Sequence, residues 1–330
     1  MSGHLASGII VAAVQPFEEN GAIDWDTTAR YVAQVAEGKP RAIAMNMAVA
    51  EVSSLEVSEQ LDVIRRCKSV LAGGCTLLSG LNVTHTNAAR DLSRRMVDAG
   101  AEGLVIFPPI PAFLSHVTIA MVEDFHNAIA EAVDVPLIAF QTIFTSYPKG
   151  TITALSRIRN VVSIKDASFN VDNTLANVKE AAAADRKIGV LTGSDTFILE
   201  AMLMGCDGAL IGFAATATAA LVRMHEHAAA GQITEAYEIW HKLGPLARIC
   251  WRAPIRDYRV RTKYVLMKQG ILPNMKVREP FPEISPEDRA DIDLAFKEFD
   301  LGSPRFLPAG RAPGARTTRS TKGEAALTAK

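Results

Sequence analysis

The chain lacks the features of a membrane, secreted or nucleic-acid-binding protein. No apolar stretch approaches the roughly 20 residues that a membrane-spanning helix needs, and no basic segment followed by an apolar one opens the sequence. With 35 basic and 36 acidic residues among 330, the net charge of −1 disfavours charge-driven binding to nucleic acids or membrane surfaces. The four cysteines form no C-x-x-C pair, which is typical of a reducing cytosol. We therefore expect a cytoplasmic protein without nucleic-acid or membrane partners.

Motifs for cofactors and metals are also missing. The sequence has neither G-x-G-x-x-G nor G-x-x-x-x-G-K-[ST], the glycine-rich loops that hold dinucleotides and phosphates. His225 and His227 are two residues apart on a predicted helix, so they would face different sides and form no metal pair. The sequence therefore predicts no cofactor and no metal site.

Large apolar side chains become rare from Ser303 onward, where Pro, Gly, Ala, Ser and Thr dominate. This segment has six basic residues and one acidic residue. It cannot bury enough apolar surface to offset the entropy lost on ordering. We expect residues 303–330 to form a disordered basic tail.

Before the tail, short apolar runs alternate with stretches of helical periodicity. The runs are mostly continuous, as expected for strands buried on both faces. They are Gly8–Val14, Ala42–Met47, Thr76–Gly80, Gly103–Phe107, Val135–Phe140, Val161–Ile164, Ile188–Leu191 and Ala209–Ile211. The helical stretches include Ser58–Leu71, Thr84–Ala99, Val117–Ala132, Val171–Ala184 and Ala215–Ala230.

Eight strand–helix units in about 230 residues predict an α/β fold, a (β/α)8 TIM barrel over residues 1–230. A doubly wound open sheet is the alternative, and the missing glycine-rich fingerprint disfavours it. Three further helical stretches, Ile233–Cys250, Ile255–Lys268 and Pro286–Phe299, predict a C-terminal helical appendage over residues 231–302.

Lys165 lies one residue beyond the apolar part of the sixth predicted strand. Functional groups of a (β/α)8 barrel sit at the C-terminal ends of the strands, so this amine is expected at the barrel mouth. Desolvation there lowers the pKa of a lysine and makes it a nucleophile toward ketones. From the pattern alone, a lysine that extends to solvent or pairs with Asp166 stays an alternative.

The sequence resembles the dihydrodipicolinate synthase and N-acetylneuraminate lyase family of class I, Schiff-base lyases, across about residues 7–300. The most specific segment is Ser163-Ile-Lys-Asp-Ala-Ser168, which matches the family's strand with the imine-forming lysine. Weaker matches keep the family's order and spacing. They are Gly8-Ile-Ile-Val-Ala-Ala-Val-Gln-Pro-Phe17, Gly21-Ala-Ile-Asp24, Glu51 with Leu55, Gly100-Ala-Glu-Gly103, Thr192-Gly-Ser-Asp195 and Cys206-Asp-Gly-Ala-Leu210.

The resemblance implies that Lys165 forms a protonated imine with a 2-oxo acid, an electron sink that serves aldol cleavage, aldol addition or loss of water. It implies that backbone amides at Ala48 and Val49 hold the substrate carboxylate. Further substrate contacts are implied at Phe140, Gln141, Gly193 and Leu210. The resemblance also implies a homo-oligomer, a tetramer or a dimer.

The chain departs from the family at groups that bind or move protons. Ala48 and Val49 stand where two threonines are usual, Phe140 replaces the proton-shuttling tyrosine, and Ile110 replaces a second tyrosine. A phenyl ring cannot carry a proton. We therefore expect a divergent member with a different acid–base group.

Tyr147 and Glu51 are the candidates for that acid–base group, with a water held by Gln141 as a further option. Lys149 is a candidate contact for the distal part of the substrate. Asp195 is more typical of a helix N-cap, although it matches a family position that can meet sugar hydroxyls. The basic run Arg256, Arg259, Arg261 and Lys263 is expected to be solvated or paired with acids such as Asp257.

The leading functional hypothesis is a lyase that acts on a 2-oxo acid through Lys165, as a pyruvate-forming or pyruvate-condensing aldolase. A dehydratase of a 2-oxo-3-deoxy sugar acid with the same imine chemistry is the first alternative. A catalytically silent barrel that binds a 2-oxo acid is an alternative from another class.

Overall fold

Eight parallel strands close into a barrel in chain order, with the last strand paired to the first. The structure, a computed structural model, describes residues 2–110 and 116–299. The strands are β1 (Gly8–Ala12), β2 (Ala42–Met45), β3 (Thr76–Leu81), β4 (Gly103–Ile106), β5 (Leu137–Thr142), β6 (Val161–Ala167), β7 (Gly189–Thr192) and β8 (Gly208–Ile211). Nearly every strand residue is buried, as continuous apolar runs require. The predicted (β/α)8 barrel is confirmed.

Helices follow the strands and cover the outside of the barrel. They are α1 (Trp25–Glu37), α2 (Val57–Leu71), α3 (Thr86–Asp98), α4 (Ile119–Ala130), α5 (Thr151–Ser156), α6 (Val171–Ala183), α7 (Ile198–Leu203) and α8 (Thr218–Ala229). The five predicted helical stretches correspond to α2, α3, α4, α6 and α8. The periodicity did not bring out α1, whose buried face includes Thr27 and Thr28, or the six-residue helices α5 and α7.

A short 3₁₀ turn, Ser2–Ala6, closes the N-terminal end of the barrel. Leu5 is fully buried there, and its carbonyl accepts a hydrogen bond of 3.2 Å from the Ser163 hydroxyl of β6. A Cβ atom on Gly189 would lie 1.9 Å from the Ala6 carbonyl oxygen, so β7 needs a glycine at this approach. The filled N-terminal end leaves the C-terminal ends of the strands to form a site.

Three helices extend the barrel, as predicted: α9 (Ile233–Cys250), α10 (Tyr258–Lys268) and α11 (Pro286–Phe299). The predicted helix 255–268 is divided into a 3₁₀ turn, Ile255–Asp257, and α10. Asp288 of α11 joins this region by accepting from Arg252 at 2.7 Å and from Arg261 at 2.8 Å. The predicted tail, residues 303–330, lies outside the described residues.

Candidate active site

A cavity of about 410 Å³ lies at the C-terminal end of the barrel. Strands β5 and β6 contribute Phe140 and Lys165 to its wall, and the turn after β2 contributes Ala48 and Val49. The segment between α9 and α11 covers the other side. The volume of the cavity suits a small-molecule ligand, and the cavity lies where (β/α)8 enzymes carry their active sites.

Lys165 projects from β6 into this cavity and is buried, with its Nζ atom 4.2 Å from the centre of the Phe140 ring. Among the described residues, no hydrogen bond or ion pair reaches the amine. Burial lowers the pKa of Lys165 to about 8, while the charge of Asp195 acts in the opposite direction. The neutral, nucleophilic amine is therefore more populated near neutral pH than that of a solvent-exposed lysine.

The alternative pairing of Lys165 with Asp166 is wrong, because adjacent strand residues point to opposite faces. Asp166 faces the helix layer, where its Oδ2 atom accepts from Thr174 at 2.7 Å. Its Oδ1 atom accepts from the amide of Gln141 at 3.1 Å and from the Ser168 backbone at 3.0 Å. The side chains of Lys165 and Asp166 therefore lie on opposite faces of β6.

Gly193 makes room for the lysine side chain. A Cβ atom at this position would lie 2.6 Å from Cε of Lys165 and 2.8 Å from Cβ of Ala167, closer than carbon atoms can approach. The glycine after β7 therefore defines the path of Lys165 into the cavity. This gives the predicted site residue Gly193 a steric part in the site.

Ala48 and Val49 begin a 3₁₀ turn, Ala48–Ala50, directly after β2, and both line the cavity. The first amides of such a turn have no acceptor inside it, which leaves them available to an anion. Arg259 donates from Nε to the Ala48 carbonyl at 2.9 Å and so fixes the position of the turn. The structure thus brings these two predicted residues to the same cavity as Lys165.

Phe140 packs its ring edge-to-face against Phe107, with 4.9 Å between the ring centres. The face of the Phe140 ring is the surface that Lys165 contacts. Ile110 is half-buried against the core and is not among the residues that line the cavity. The wall beside the amine is thus apolar at the position where relatives are expected to carry a hydroxyl.

Gln141 and Tyr147 lie behind the cavity wall, which corrects their expected placement at the substrate. The Gln141 amide bonds Asp166, and its Oε1 atom accepts from the Tyr147 backbone at 2.8 Å. The Tyr147 hydroxyl donates to the Phe140 carbonyl at 2.9 Å, and burial raises its pKa above the usual value. Both side chains brace the loop after β5 and do not line the cavity.

Glu51 also lies away from the cavity, contrary to its expected acid–base role. Its fully buried carboxylate accepts from Lys263 Nζ at 2.6 Å and from the Arg278 backbone at 2.9 Å. Its backbone adopts a left-handed conformation with φ of 58°, which directs the chain from the β2 turn toward α2. Glu51 thus ties the C-terminal segment to the turn that carries Ala48 and Val49.

Leu210 and Lys149 do not line the cavity either. Leu210 is on β8, two residues before Gly212, which lines the cavity. Leu210 therefore points to the same inner side but lies one layer deeper in the barrel. Lys149 is exposed on the loop before α5. The structure therefore gives neither residue the direct contact that the sequence suggested.

Asp195 lines the cavity and does not cap a helix, since α7 begins after Phe197. Its Oδ1 atom accepts from the Phe213 backbone at 2.7 Å, which joins the loops after β7 and β8. Burial raises the pKa of Asp195 to about 7, although the Phe213 amide and the Lys165 charge favour its ionised form. The cavity thus contains a carboxyl group that titrates near neutrality.

The C-terminal segment supplies cavity residues that the sequence did not assign to the site. Trp251 stacks on Tyr258 with 5.4 Å between ring centres, and the Arg259 guanidinium lies 4.6 Å from the Tyr258 ring and 4.5 Å from the Phe281 ring. All four line the cavity. A clue existed in Trp251 and Tyr258 beside the basic run, but linear spacing does not reveal which side of a helix meets the barrel.

The same basic run holds two buried charges instead of a solvated surface. Arg261 and Lys263 are each 1% exposed, and they pair with Asp288 and Glu51 respectively. Of the two expectations for this run, solvation or pairing with acids, these two residues meet the second, and Arg261 also lies 4.0 Å from Asp257. Arg256 does contact Asp257, at 3.2 Å, as the sequence suggested.

Within residues 2–110 and 116–299, no group of three or more His, Cys, Asp or Glu side chains could hold a metal ion. In the same part of the chain, no helix is long and apolar enough to cross a membrane.

Comparison with known proteins places this architecture in a family. The model of the dihydrodipicolinate synthetase family matches residues 5–298. A 4-hydroxy-tetrahydrodipicolinate synthase of Chlorobium phaeovibrioides is 28% identical over 91% of this chain and 100% of its own length. An uncharacterized DapA-like lyase of Thermofilum pendens is 26% identical, over 81% and 89% of the two chains.

Among solved structures, a dihydrodipicolinate synthase from Acinetobacter baumannii in complex with pyruvate superimposes with a TM-score of 0.80. It is 26% identical, and the match covers 90% of this chain and 99% of that chain. The low identities agree with the departures seen around the cavity. The chain is therefore a lyase and a divergent member of the dihydrodipicolinate synthetase family.

Proposed function

We propose that this protein is an aldolase that forms an imine between Lys165 and a 2-oxo acid, and either releases or condenses pyruvate. The observation that carries the proposal is a buried amine without a polar partner, placed at the end of β6 inside a cavity at the mouth of the barrel. Pyruvate in the Acinetobacter baumannii relative, at 26% identity, supports the choice of 2-oxo acid. The same resemblance suggests a homo-oligomer.

The reaction requires an amine that is neutral at the start. The Lys165 lone pair adds to the ketone carbon, and loss of water leaves a protonated imine. Removal of a proton from C3 gives an enamine, whose carbon forms a bond to an aldehyde while the new alkoxide takes up a proton. Water then hydrolyses the imine, which releases the 4-hydroxy-2-oxo acid and restores the amine. Cleavage follows these steps in reverse.

Ala48 and Val49 are proposed to hold the 2-oxo acid carboxylate through their backbone amides. The Arg259 guanidinium, 2.9 Å from the Ala48 carbonyl, fixes that turn and adds positive charge beside it. Such donors require no particular side chain, which accounts for the tolerance of alanine and valine at these positions.

We propose Asp195 as the group that moves the proton in place of the usual tyrosine. It lines the same cavity as Lys165, and one of its oxygen atoms is fixed by the Phe213 amide. A raised pKa of about 7 allows it to accept and return a proton near neutral pH. Asp195→Asn should therefore keep imine formation but lower turnover by about 100-fold or more, in the usual range for general acid–base catalysis.

The test is reductive trapping with sodium cyanoborohydride and pyruvate, followed by intact mass measurement. The wild type should gain one pyruvyl adduct, while Lys165→Arg, which keeps the charge but lacks a usable amine, should gain none. Lys149→Arg is the matched control on an exposed lysine, and it should still form the adduct. An adduct on Lys165→Arg, or no adduct on the wild type with any 2-oxo acid, would overturn the proposal.

A further inference from the structure

We infer that the substrate carries an aromatic ring and a second acidic group beyond its 2-oxo acid portion. The inference rests on the proposed imine function and names the chemical class of the substrate at that same site. It rests on the side chains that surround the mouth of the cavity, which are mostly aromatic rings with an exposed arginine.

The outer wall of the cavity is aromatic. Besides Phe140, which faces the Lys165 amine, six rings line it: Phe107, Phe144, Phe169, Trp251, Tyr258 and Phe281. They come from three strand-end loops and from the C-terminal segment, so the wall surrounds the mouth from several sides. Aromatic walls favour flat apolar groups, which gain contact area and ring–ring contacts.

Part of the polar surface of the wall is already engaged by the protein itself. Thr142 accepts from the backbone amides of Phe144 and Thr145, at 3.2 and 3.1 Å. Arg259 donates to the carbonyls of Ala48 and Arg256.

Besides the reacting groups, the Tyr258 hydroxyl and the Trp251 indole N–H are the uncharged polar side-chain groups of this wall that have no protein partner among the described residues. Each hydroxyl of a polyhydroxylated chain that finds no partner here would lose its hydrogen bonds with water, which costs free energy. An aryl group has no such requirement.

Positive charge at the rim points to an acidic substituent. The Arg256 side chain is 63% exposed, lines the cavity and uses its Nε atom toward Asp257, which leaves its terminal nitrogens available. Among the described residues on the wall, Asp195 is the single carboxylate. Because Arg259 donates to the carbonyls of Ala48 and Arg256, Arg256 is the arginine of this wall that can bind a second carboxylate through its planar fork.

Substitution of Phe144 tests the role of the aromatic wall with little effect on folding. It is 57% exposed, because it lies at the open edge of the cavity on the loop after β5. Tyr237, on α9 and away from the cavity, is 58% exposed and provides a matched control. Arg65, paired with Asp62 on α2 and 57% exposed, matches Arg256 in the same way.

The experiment measures the concentration of 2-oxo acid that half-saturates reductive trapping on Lys165. Four probes are compared: 2-oxohexanoate, 4-phenyl-2-oxobutanoate, its para-carboxyphenyl analogue, and a 2-oxo-3-deoxy sugar acid. We expect the phenyl compound to half-saturate at a concentration about 10-fold lower than the aliphatic and sugar compounds, and the carboxyphenyl compound lower still. Phe144→Ala should remove most of the phenyl preference, and Arg256→Gln should remove the further gain from the carboxylate.

Tyr237→Ala and Arg65→Gln should leave all four values unchanged. If pyruvate is trapped but the aliphatic or sugar probe saturates as readily as the phenyl probe, the aromatic inference is refuted and the imine function stands. If the carboxylate gain survives in Arg256→Gln, the assignment of the acidic group is refuted. If no 2-oxo acid is trapped, the proposed function itself has failed.

Discussion

Adding a single methyl group at Gly193 should slow imine formation at Lys165 while leaving the barrel folded. In Gly193→Ala the new Cβ atom would lie 2.6 Å from Cε and 3.0 Å from Cγ of Lys165, so the lysine must leave its present path. The backbone of Gly193 is not in the left-handed region, so alanine itself is tolerated there. The perturbation thus falls on the side chain of Lys165 and on Ala167, whose Cβ atom would lie 2.8 Å from the new methyl group.

Two opposing contributions set the change in stability. Crowding in a packed site costs roughly 1–3 kcal/mol. Replacement of a glycine by alanine returns about 0.4–1 kcal/mol by restricting the unfolded chain. The net loss should be about 1 kcal/mol, small enough for a folded enzyme. Imine formation, in contrast, depends on the amine position, and a displacement of about 1 Å can lower the rate by about 100-fold.

The assay compares the rate of reductive trapping with pyruvate and the thermal midpoint of unfolding. Gly74→Ala is the matched control, because the nearest atom to its new Cβ, the Leu71 carbonyl oxygen, lies at 3.4 Å, an acceptable contact. Gly74→Ala should trap at the wild-type rate. Wild-type trapping in Gly193→Ala, with both proteins folded, would show that Lys165 does not need this path.

Three further outcomes are expected. The trapping rate should rise about 10-fold per pH unit below pH 8 and level above it, because the neutral amine reacts and burial lowers the Lys165 pKa to about 8; a rise that continues to pH 10 would refute this. Tyr147→Phe should leave turnover unchanged and lower the free energy of unfolding by about 1 kcal/mol, since only the bond to the Phe140 carbonyl is lost; slower turnover in a stable variant would restore Tyr147 as an acid. Glu51→Gln should lower the free energy of unfolding by about 3–5 kcal/mol, and with it the melting temperature, because it leaves the buried Lys263 charge unpaired; an unchanged melting curve would contradict this.

The barrel could be predicted because its signals are local. Continuous apolar runs such as Val161–Ile164 need burial on both faces, and parallel barrels provide it. Ends of elements were less accurate: β5 continues to Thr142 and β6 to Ala167, past the polar residues Gln141 and Lys165 at which the apolar runs stop. Pairing between neighbouring strands keeps those polar residues in the sheet, and the sequence of one strand does not show it.

The side of each strand was harder to predict than its position. Phe140 and Gln141 are adjacent, and the sequence suggested both as substrate contacts. Strand geometry sends them to opposite faces, so one meets Lys165 and the other meets Asp166. Glu51 posed a different problem, because its partner Lys263 lies 212 residues away. Local reasoning therefore suggested an acid–base role for Glu51 and did not connect it with Lys263.

Burial of the Lys165 amine argues against a catalytically silent barrel. A cationic side chain removed from water without an ion-pair partner destabilises the folded state, and an apolar residue of similar size would remove that cost. Lys263 shows the alternative within the same chain, since its buried charge is neutralised by Glu51 at 2.6 Å. Lys165 has only the face of Phe140 at 4.2 Å and the field of Asp195, and both line an open cavity. A lysine that is structurally unfavourable and yet points into space for a ligand supports the proposed chemistry at the amine. The aromatic wall around it supports the inferred change of substrate over a loss of activity.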